Sequence, residues 1–274
     1  MFSINTNVQA IRAQRSLSGV STDLSTTFQR LSSGVRINSA ADDAAGLSIA
    51  TRMSSQIRGL NMASRNANDA ISLVQVAEGA LDETTNALQR MRELAVQSAN
   101  GTMTTTDRDN LQTEFAQLQS ELDRIAQHTT FNGKSLLSVG YSARLQIGAY
   151  SGQFISFHIK GVKASTIGVS TGATISGTTT TSHATAVIGL LDTALSSITS
   201  IRATLGAVQN RFESVIANLD NQAEQQTAAR SRIMDADIAA ETANLTRLSI
   251  LQQAGTAILA QANQQPALAL SLLG

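Results

Sequence analysis

The sequence predicts a mainly α protein: a long antiparallel coiled-coil helical bundle with a small β-hairpin region and with its N- and C-terminal helices paired. Three observations predict this. Apolar residues recur every seven positions over two long stretches, one through Met53, Leu60, Ala67, Val74, Leu81, Leu88 and Ala95, the other through Leu191, Ile198, Leu205, Phe212 and Leu219. Such a repeat is the seam of a coiled coil. Both ends of the chain carry apolar stripes in steps of three and four, each one face of a helix. The 274 residues include a single proline, Pro266, no tryptophan and few aromatics, so helices run unbroken and pack through small side chains.

The first stripe is Leu17, Val20, Leu24, Phe28, Leu31 and Val35, preceded by Ile4, Val8 and Ile11. Ser32-Ser33-Gly34 and Asn38-Ser39 break it. Ser39 with Asp42 predicts a helix N-terminus, where side-chain oxygens meet unpaired backbone N–H groups; Asp42 and Asp43 also suit the positive end of a helix dipole. One helix is expected from about residue 43 to residue 99, with Ala63, Ala70, Ala77 and Met91 as companion positions. At 1.5 Å per residue it spans roughly 85 Å. Asn100-Gly101 ends it. The next helix starts between Thr104 and Asp107 and reaches His128, with the stripe Leu111, Phe115, Leu118, Leu122, Ile125. The short turn between these helices makes them antiparallel neighbours.

After Asn132-Gly133 the period becomes two. Leu145 and Ile147, then Ile155, Phe157 and Ile159, flank Ser151-Gly152, which predicts a β-hairpin over about 139–165. Residues 166–186 are expected to form a solvent-exposed loop, because the Ser/Thr-rich run from residue 170 cannot build a core. The second long helix is expected from near Ala186 to about Arg230, with Ala194, Ile201, Val208 and Val215 at the companion positions. It leads through Asp235 and Asp237 to the last stripe, Leu245, Leu248, Leu251, Gly255, Ile258 and Ala262.

The expected division is a terminal helical domain, 1–42 with 235–274, and a rod domain, 43–234. The rod core is expected around Leu60, Val74, Leu81, Leu88, Leu191, Ile198, Leu205 and Phe212. The terminal stripes are too thin to make a core alone, and such helices are marginal in water until buried. Leu17, Val20, Leu24, Phe28 and Leu31, with Leu245, Leu248, Leu251 and Ile258, are therefore the expected assembly residues.

Composition excludes several functions. Net charge is zero, so there is no nucleic-acid or anionic-membrane signature. No cysteine is present, which removes disulfides and thiol chemistry. The start, MFSINTNVQAIRAQRS, lacks the basic and apolar regions of a secretory signal peptide, and no apolar run approaches membrane-spanning length. His128, His158 and His183 stand alone, without metal-ligand spacing. Phosphate-binding glycine loops and Gly-x-Ser-x-Gly elbows are absent. The chain is read as non-enzymatic, with no catalytic, metal or cofactor site. Asp42 and Asp43 are read as helix caps. Arg90 and Arg92 near Glu93 fit a solvated face with local pairs or a protein-contact patch.

Several segments resemble bacterial flagellins. They are QRLSSGVRINSAADDAAGLSIA (29–50), LQRMRELAVQSANGT (88–102), TTFNGKSLL (129–137), LQIGAYSGQ (145–153) and SILQQAGTAILAQANQ (249–264), in the family's order. The resemblance covers nearly the whole chain apart from about 165–190 and is that of a short member without large outer domains. It implies a structural subunit of a hollow helical homopolymer, the bacterial flagellar filament, secreted through the type III export apparatus for motility. The terminal helices would line the inner tube and the rod would form the outer one. Implied partners are other copies of the chain, an export chaperone at the C-terminus, and flagellar cap and junction proteins. Host innate immune receptors are implied too: a Toll-like receptor motif matches Arg90, Leu94 and Glu114, and a plant-receptor epitope matches Arg36, Asp43 and Gly46. The plant epitope departs from the common pattern at Val35, Ala41 and Ser48. The alternative readings are a hook–filament junction protein and an intracellular helical scaffold. A metalloprotease insert is excluded by the missing His-Glu-x-x-His.

Overall fold

A computed structural model of the chain describes residues 6–170, 173–176 and 182–271. The elements in order are α1 (Val8–Ser33), α2 (Ala44–Ser98), α3 (Thr105–His128), β1 (Thr130–Phe131), β2 (Lys134–Ser135), β3 (Gly140–Gln146), β4 (Phe154–Lys160), α4 (Ser182–Met234) and α5 (Ile238–Ser271). The chain divides into two compact units, residues 1–56 with 224–274, and residues 57–223. The division falls inside α2 and α4 rather than at 42 and 235.

The 57–223 unit is organised by the two heptad seams. Val74, Leu81 and Leu88 of α2 and Leu191, Ile198, Leu205 and Phe212 of α4 are buried in one core. Leu60 is buried in a smaller cluster with Ala63 and Leu219. α3 contributes Phe115, Leu122 and Ala126. It begins at a reciprocal cap: the Asp107 N–H donates to the Thr104 hydroxyl, and the Thr104 N–H donates to the Asp107 carboxylate at 3.0 Å. Two donors of the first turn are thus satisfied.

β3 and β4 pair antiparallel, with Ala143 opposite Phe157 and Leu145 opposite Ile155. Ile155, Phe157 and Ile159 point into the core, as the alternation requires; Ile147 lies just beyond β3. Phe157 meets Phe212 edge-on at 6.0 Å between ring centroids. β1 and β2 form a second hairpin that the period-two reading does not single out. Its turn is Asn132-Gly133, with φ of 49° and 74°. Asn-Gly is the strongest short-range signal for such a two-residue turn.

The stretch expected to be a solvent-exposed loop, 166–186, differs in its described part. Val169, Ala173 and Ile175 are buried in the core. Gln119 donates to the Ser170 carbonyl at 3.0 Å and the Ala173 carbonyl at 3.3 Å. Gln112 accepts from the Ile175 N–H at 2.7 Å, and Ser98 donates to the Ile175 carbonyl at 2.6 Å. The Ser/Thr composition conceals three apolar anchors whose backbone is satisfied by side chains of α2 and α3, so no ladder is needed to bury it. α4 begins at Ser182 rather than near Ala186. Residues 177–181, the rest of the Ser/Thr run, lie outside the described residues.

By length and composition, α4 over His183–Met234 is long and apolar enough to cross a bilayer. Leu191, Ala194, Ile198 and Leu205 on that helix belong to the core instead.

In the other unit α1 and α5 run antiparallel. Asn7 donates to the Ala262 carbonyl at 2.7 Å, and at the opposite end Arg30 lies 3.6 Å from Glu241. Ile4 lies outside the described residues.

Candidate assembly surface

The contact between α1 and α5 is a strict three-four repeat. On α1 the covered positions are Ala10, Ala13, Leu17, Val20, Leu24, Thr27 and Leu31; on α5 they are Leu245, Leu248, Gln252, Gly255, Leu259 and Ala262. Gly255 is there because the helices approach closely: a Cβ on it would lie 3.2 Å from a Leu17 methyl. Of the expected stripe residues, Leu17, Val20, Leu24, Leu31, Leu245 and Leu248 lie in this seam and are half-buried or buried.

Phe28, Leu251 and Ile258 are not in this seam. They are 54%, 47% and 58% exposed, respectively. The reason is angular. Leu251 and Ile258 sit one residue ahead of seam positions 252 and 259, about 100° around the helix. Two helices cover only a narrow a/d stripe on each other. Sequence reasoning overlooked Gln252 because it is polar and took its apolar neighbour. The outcome is a set of apolar side chains outside the seam, Val8, Ile11 and Phe28 on α1 and Ile250, Leu251 and Ile258 on α5, left exposed in the single chain.

The segment leading into α2 is fixed by backbone and charge. Gly34 closes α1 in the left-handed region at φ 70°, where glycine carries no Cβ penalty. Val35 pairs with Asp235 in an antiparallel bridge. The Arg36 N–H donates to the Met234 carbonyl at 2.5 Å, its guanidinium to the Ile233 carbonyl at 2.9 Å, and the Ala236 N–H to the Gly34 carbonyl at 3.0 Å.

Asp42 accepts from the Ser39 N–H at 2.8 Å, the Ser39 hydroxyl at 3.0 Å and the Asn38 N–H at 3.2 Å. The Ser39–Asp42 pair therefore closes a turn before the helix and is not its N-terminus. That role falls to Asp43, which accepts from the Gly46 N–H at 2.8 Å and satisfies one of the free donors of the first turn. Gly46 is buried beneath this cap, and a Cβ on it would lie 2.8 Å from the Ile37 Cδ1. Arg36, Asp43 and Gly46 thus each hold this junction.

The Ser39 hydrogen bonds, with Asn38 and Arg30 adding to them, hold the Asp42 carboxyl below its ordinary value. A depressed carboxylate stabilises the fold above its unfolded pKa of about 3.9, and the contribution is lost as pH falls through the lower folded value. Thermal melts between about pH 5 and about pH 2 are expected to show a shallower acid loss for Asp42→Asn than for the parent; parallel curves would contradict this.

On the 57–223 unit, Arg90 bridges helices rather than facing solvent alone. It contacts Glu114 of α3 at 2.9 Å and Glu93 at 3.0 Å. Leu94, expected beside them as a receptor contact, is 1% exposed and belongs to the core. Its side chain presents nothing to a partner in this fold, because it is buried in the same core as Met91 and Ala95. Among the described residues no group of His, Asp and Glu could hold a metal ion; His158 meets the Ser142 hydroxyl at 2.9 Å.

A heptad bundle in one unit, and a terminal helix pair with exposed apolar side chains in the other, define a helical subunit that assembles. Comparison with known proteins identifies the assembly. The family model for the bacterial flagellin N-terminal helical region matches residues 4–141, and that for the C-terminal helical region matches residues 188–273. The flagellin of Halalkalibacterium halodurans is 47% identical over 98% of this chain and 99% of its own length. The flagellar filament 33 kDa core protein of Treponema phagedenis is 44% identical over 98% and 99%, respectively. A structure described as a flagellar hook-associated protein of Vibrio parahaemolyticus shares the fold, with a TM-score of 0.61 at 12% identity over 71% of this chain and all of that one. The chain belongs to the bacterial flagellin family. It is a structural subunit of the extracellular flagellar filament.

Proposed function

We propose that the uncovered face of the α1–α5 pair is the surface through which copies of this chain polymerise. The observation that carries this reading is the exposure of Phe28, Leu251 and Ile258 beside the seam that pairs the two helices. Burying such side chains between copies contributes about 1.5–3 kcal/mol each when complete and offsets the entropy of ordering the ends. In the filament the terminal pair contributes to the inner tube, and the 57–223 bundle is a stiff rod. The function is mechanical, without enzymatic activity, cofactor, nucleic acid or membrane insertion.

Before export, a chaperone covers the α5 face, which would otherwise be exposed. Cap and junction proteins meet the same face at the filament's two ends. The exposed Arg90–Glu114 pair supports recognition by a vertebrate receptor, and exposed Arg36 supports recognition of the 29–50 segment by a plant one. The junction-protein alternative draws only on a shared fold at 12% identity.

The test is seeded growth on sheared filament ends, followed by electron microscopy. The full chain is expected to extend the seeds, and a chain lacking residues 240–274 to remain unassembled. Extension by the truncated chain would refute the assignment.

A further inference from the structure

We propose that the β3–β4 hairpin and the adjoining groove form a binding site for an acidic polysaccharide, a function separate from assembly. The first observation is in the charge pattern. All three lysines of the chain, Lys134, Lys160 and Lys163, and all three histidines fall between residues 124 and 191. The same stretch contains Arg124 and Arg144 and not one of the chain's 20 acidic residues. Five basic side chains therefore stand in one segment of a neutral chain, and the remainder has an excess of five acids. Such a block concentrates positive potential locally although net charge is zero.

The second observation is where the fold puts these groups. The strand register places Arg144, opposite Ser156, and His158, opposite Ser142, on the face of the hairpin turned away from the core, with Lys160 next along β4. All three are exposed. Ion pairs on the 57–223 unit use Arg90, Arg92, Arg124 and Arg202; among the described residues none uses Arg144 or the three lysines. Arg144 instead lies 3.7 Å over the Phe154 ring, a cation–aromatic contact that leaves its charge uncompensated.

The third is the groove itself. It has a volume of about 1080 Å³, with His158 and Lys160 on one wall and a row of α4 hydroxyls opposite. Among the described residues the hydroxyls of Ser196, Ser197 and Ser200 in that row have no hydrogen-bond partner, and the Ser200 carbonyl accepts from the Thr204 hydroxyl. Asp192 also lines the groove, but Arg92 holds its carboxylate at 2.7 Å. Lys160 beside a row of serine hydroxyls in the groove, with Arg144 on the adjoining hairpin face, suits a chain of sugars bearing carboxylate or sulfate groups: the anions meet Lys160 and Arg144, the ring hydroxyls meet the serines. The volume exceeds a typical small-molecule site and accommodates a polymer segment. An extracellular filament repeats the site along its length, so weak binding per copy becomes strong by avidity.

The test uses the full soluble chain and two probes, heparin as the acidic polysaccharide and dextran as the neutral one. Heparin binding is expected, with log affinity falling against log salt at a slope of about −2 to −3 for three engaged cations. The variant Arg144→Gln/Lys160→Gln/Lys163→Gln is expected to bind at least about tenfold more weakly with a slope near zero, while Arg211→Gln on another surface is unchanged. If the triple variant misfolds by circular dichroism, Lys160→Gln alone is expected to give a partial loss. No heparin binding, equal binding to dextran, or equal losses in the Arg211 control and the hairpin variants would overturn the proposal. So would failure of the folded hairpin variant to extend filament seeds, which would make this face a contact with a second copy.

Discussion

Phe212→Ala is expected to cost the 57–223 unit about 3–5 kcal/mol of unfolding free energy. Phe212 is fully buried where α4 meets the hairpin, with its ring edge-on to Phe157. Removing it opens a cavity in a close-packed core that the surrounding side chains refill only in part. The aromatic pair adds a loss beyond area. Urea unfolding followed by circular dichroism measures this, with Phe154→Ala as the comparison, since Phe154 is 41% exposed. Phe154→Ala is expected to cost about 1 kcal/mol or less. Equal losses in the two variants would mean that the hairpin does not seal the bundle.

The second large effect separates folding from assembly. Leu251→Ser/Ile258→Ser leaves the seam residues Leu248, Leu259 and Ala262 in place, so the monomer is expected to unfold at the parent's urea midpoint. Polymerisation is expected to suffer severely. Each side chain contributes about 1–1.5 kcal/mol when its exposed part is covered, which together raise the critical concentration roughly 30- to 150-fold. Sedimentation of seeded reactions reads this directly. A variant that polymerises at the parent's critical concentration would place the interface elsewhere.

Much of the fold was legible because coiled-coil seams are periodic. The α2 and α4 cores follow from seven-residue spacing alone, and Thr104 with Asp107 marks the start of α3. The misreadings share one cause: each involves a residue whose type conceals its environment. Gln252 is polar yet lies in the terminal seam, which displaced the α5 stripe onto Leu251 and Ile258. Val169, Ala173 and Ile175 are scattered among serines and threonines and anchored by Gln112 and Gln119, long-range partners that no local pattern reveals. Asp43 rather than Asp42 caps α2, a choice between adjacent residues that depends on backbone geometry at Gly46. Leu94 was placed on a receptor surface by resemblance, but it is buried in the core beside the α2 seam. Asn132-Gly133 was visible as a turn, and its two-residue hairpin could have been found from the dipeptide.

The displaced stripe matters most, because it separates residues that pair the termini from residues that wait for a neighbour. The chain lacks cysteine, so a single introduced thiol reports its own site. Leu251→Cys and Phe28→Cys are expected to react readily with a maleimide in the monomer and to be protected by more than about tenfold once the chain is assembled. Val139→Cys, at a position 86% exposed on the other unit, is expected to react in both states. If Leu251→Cys labels equally fast in monomer and filament, the α1–α5 outer face is not the polymer contact, and the account of assembly fails.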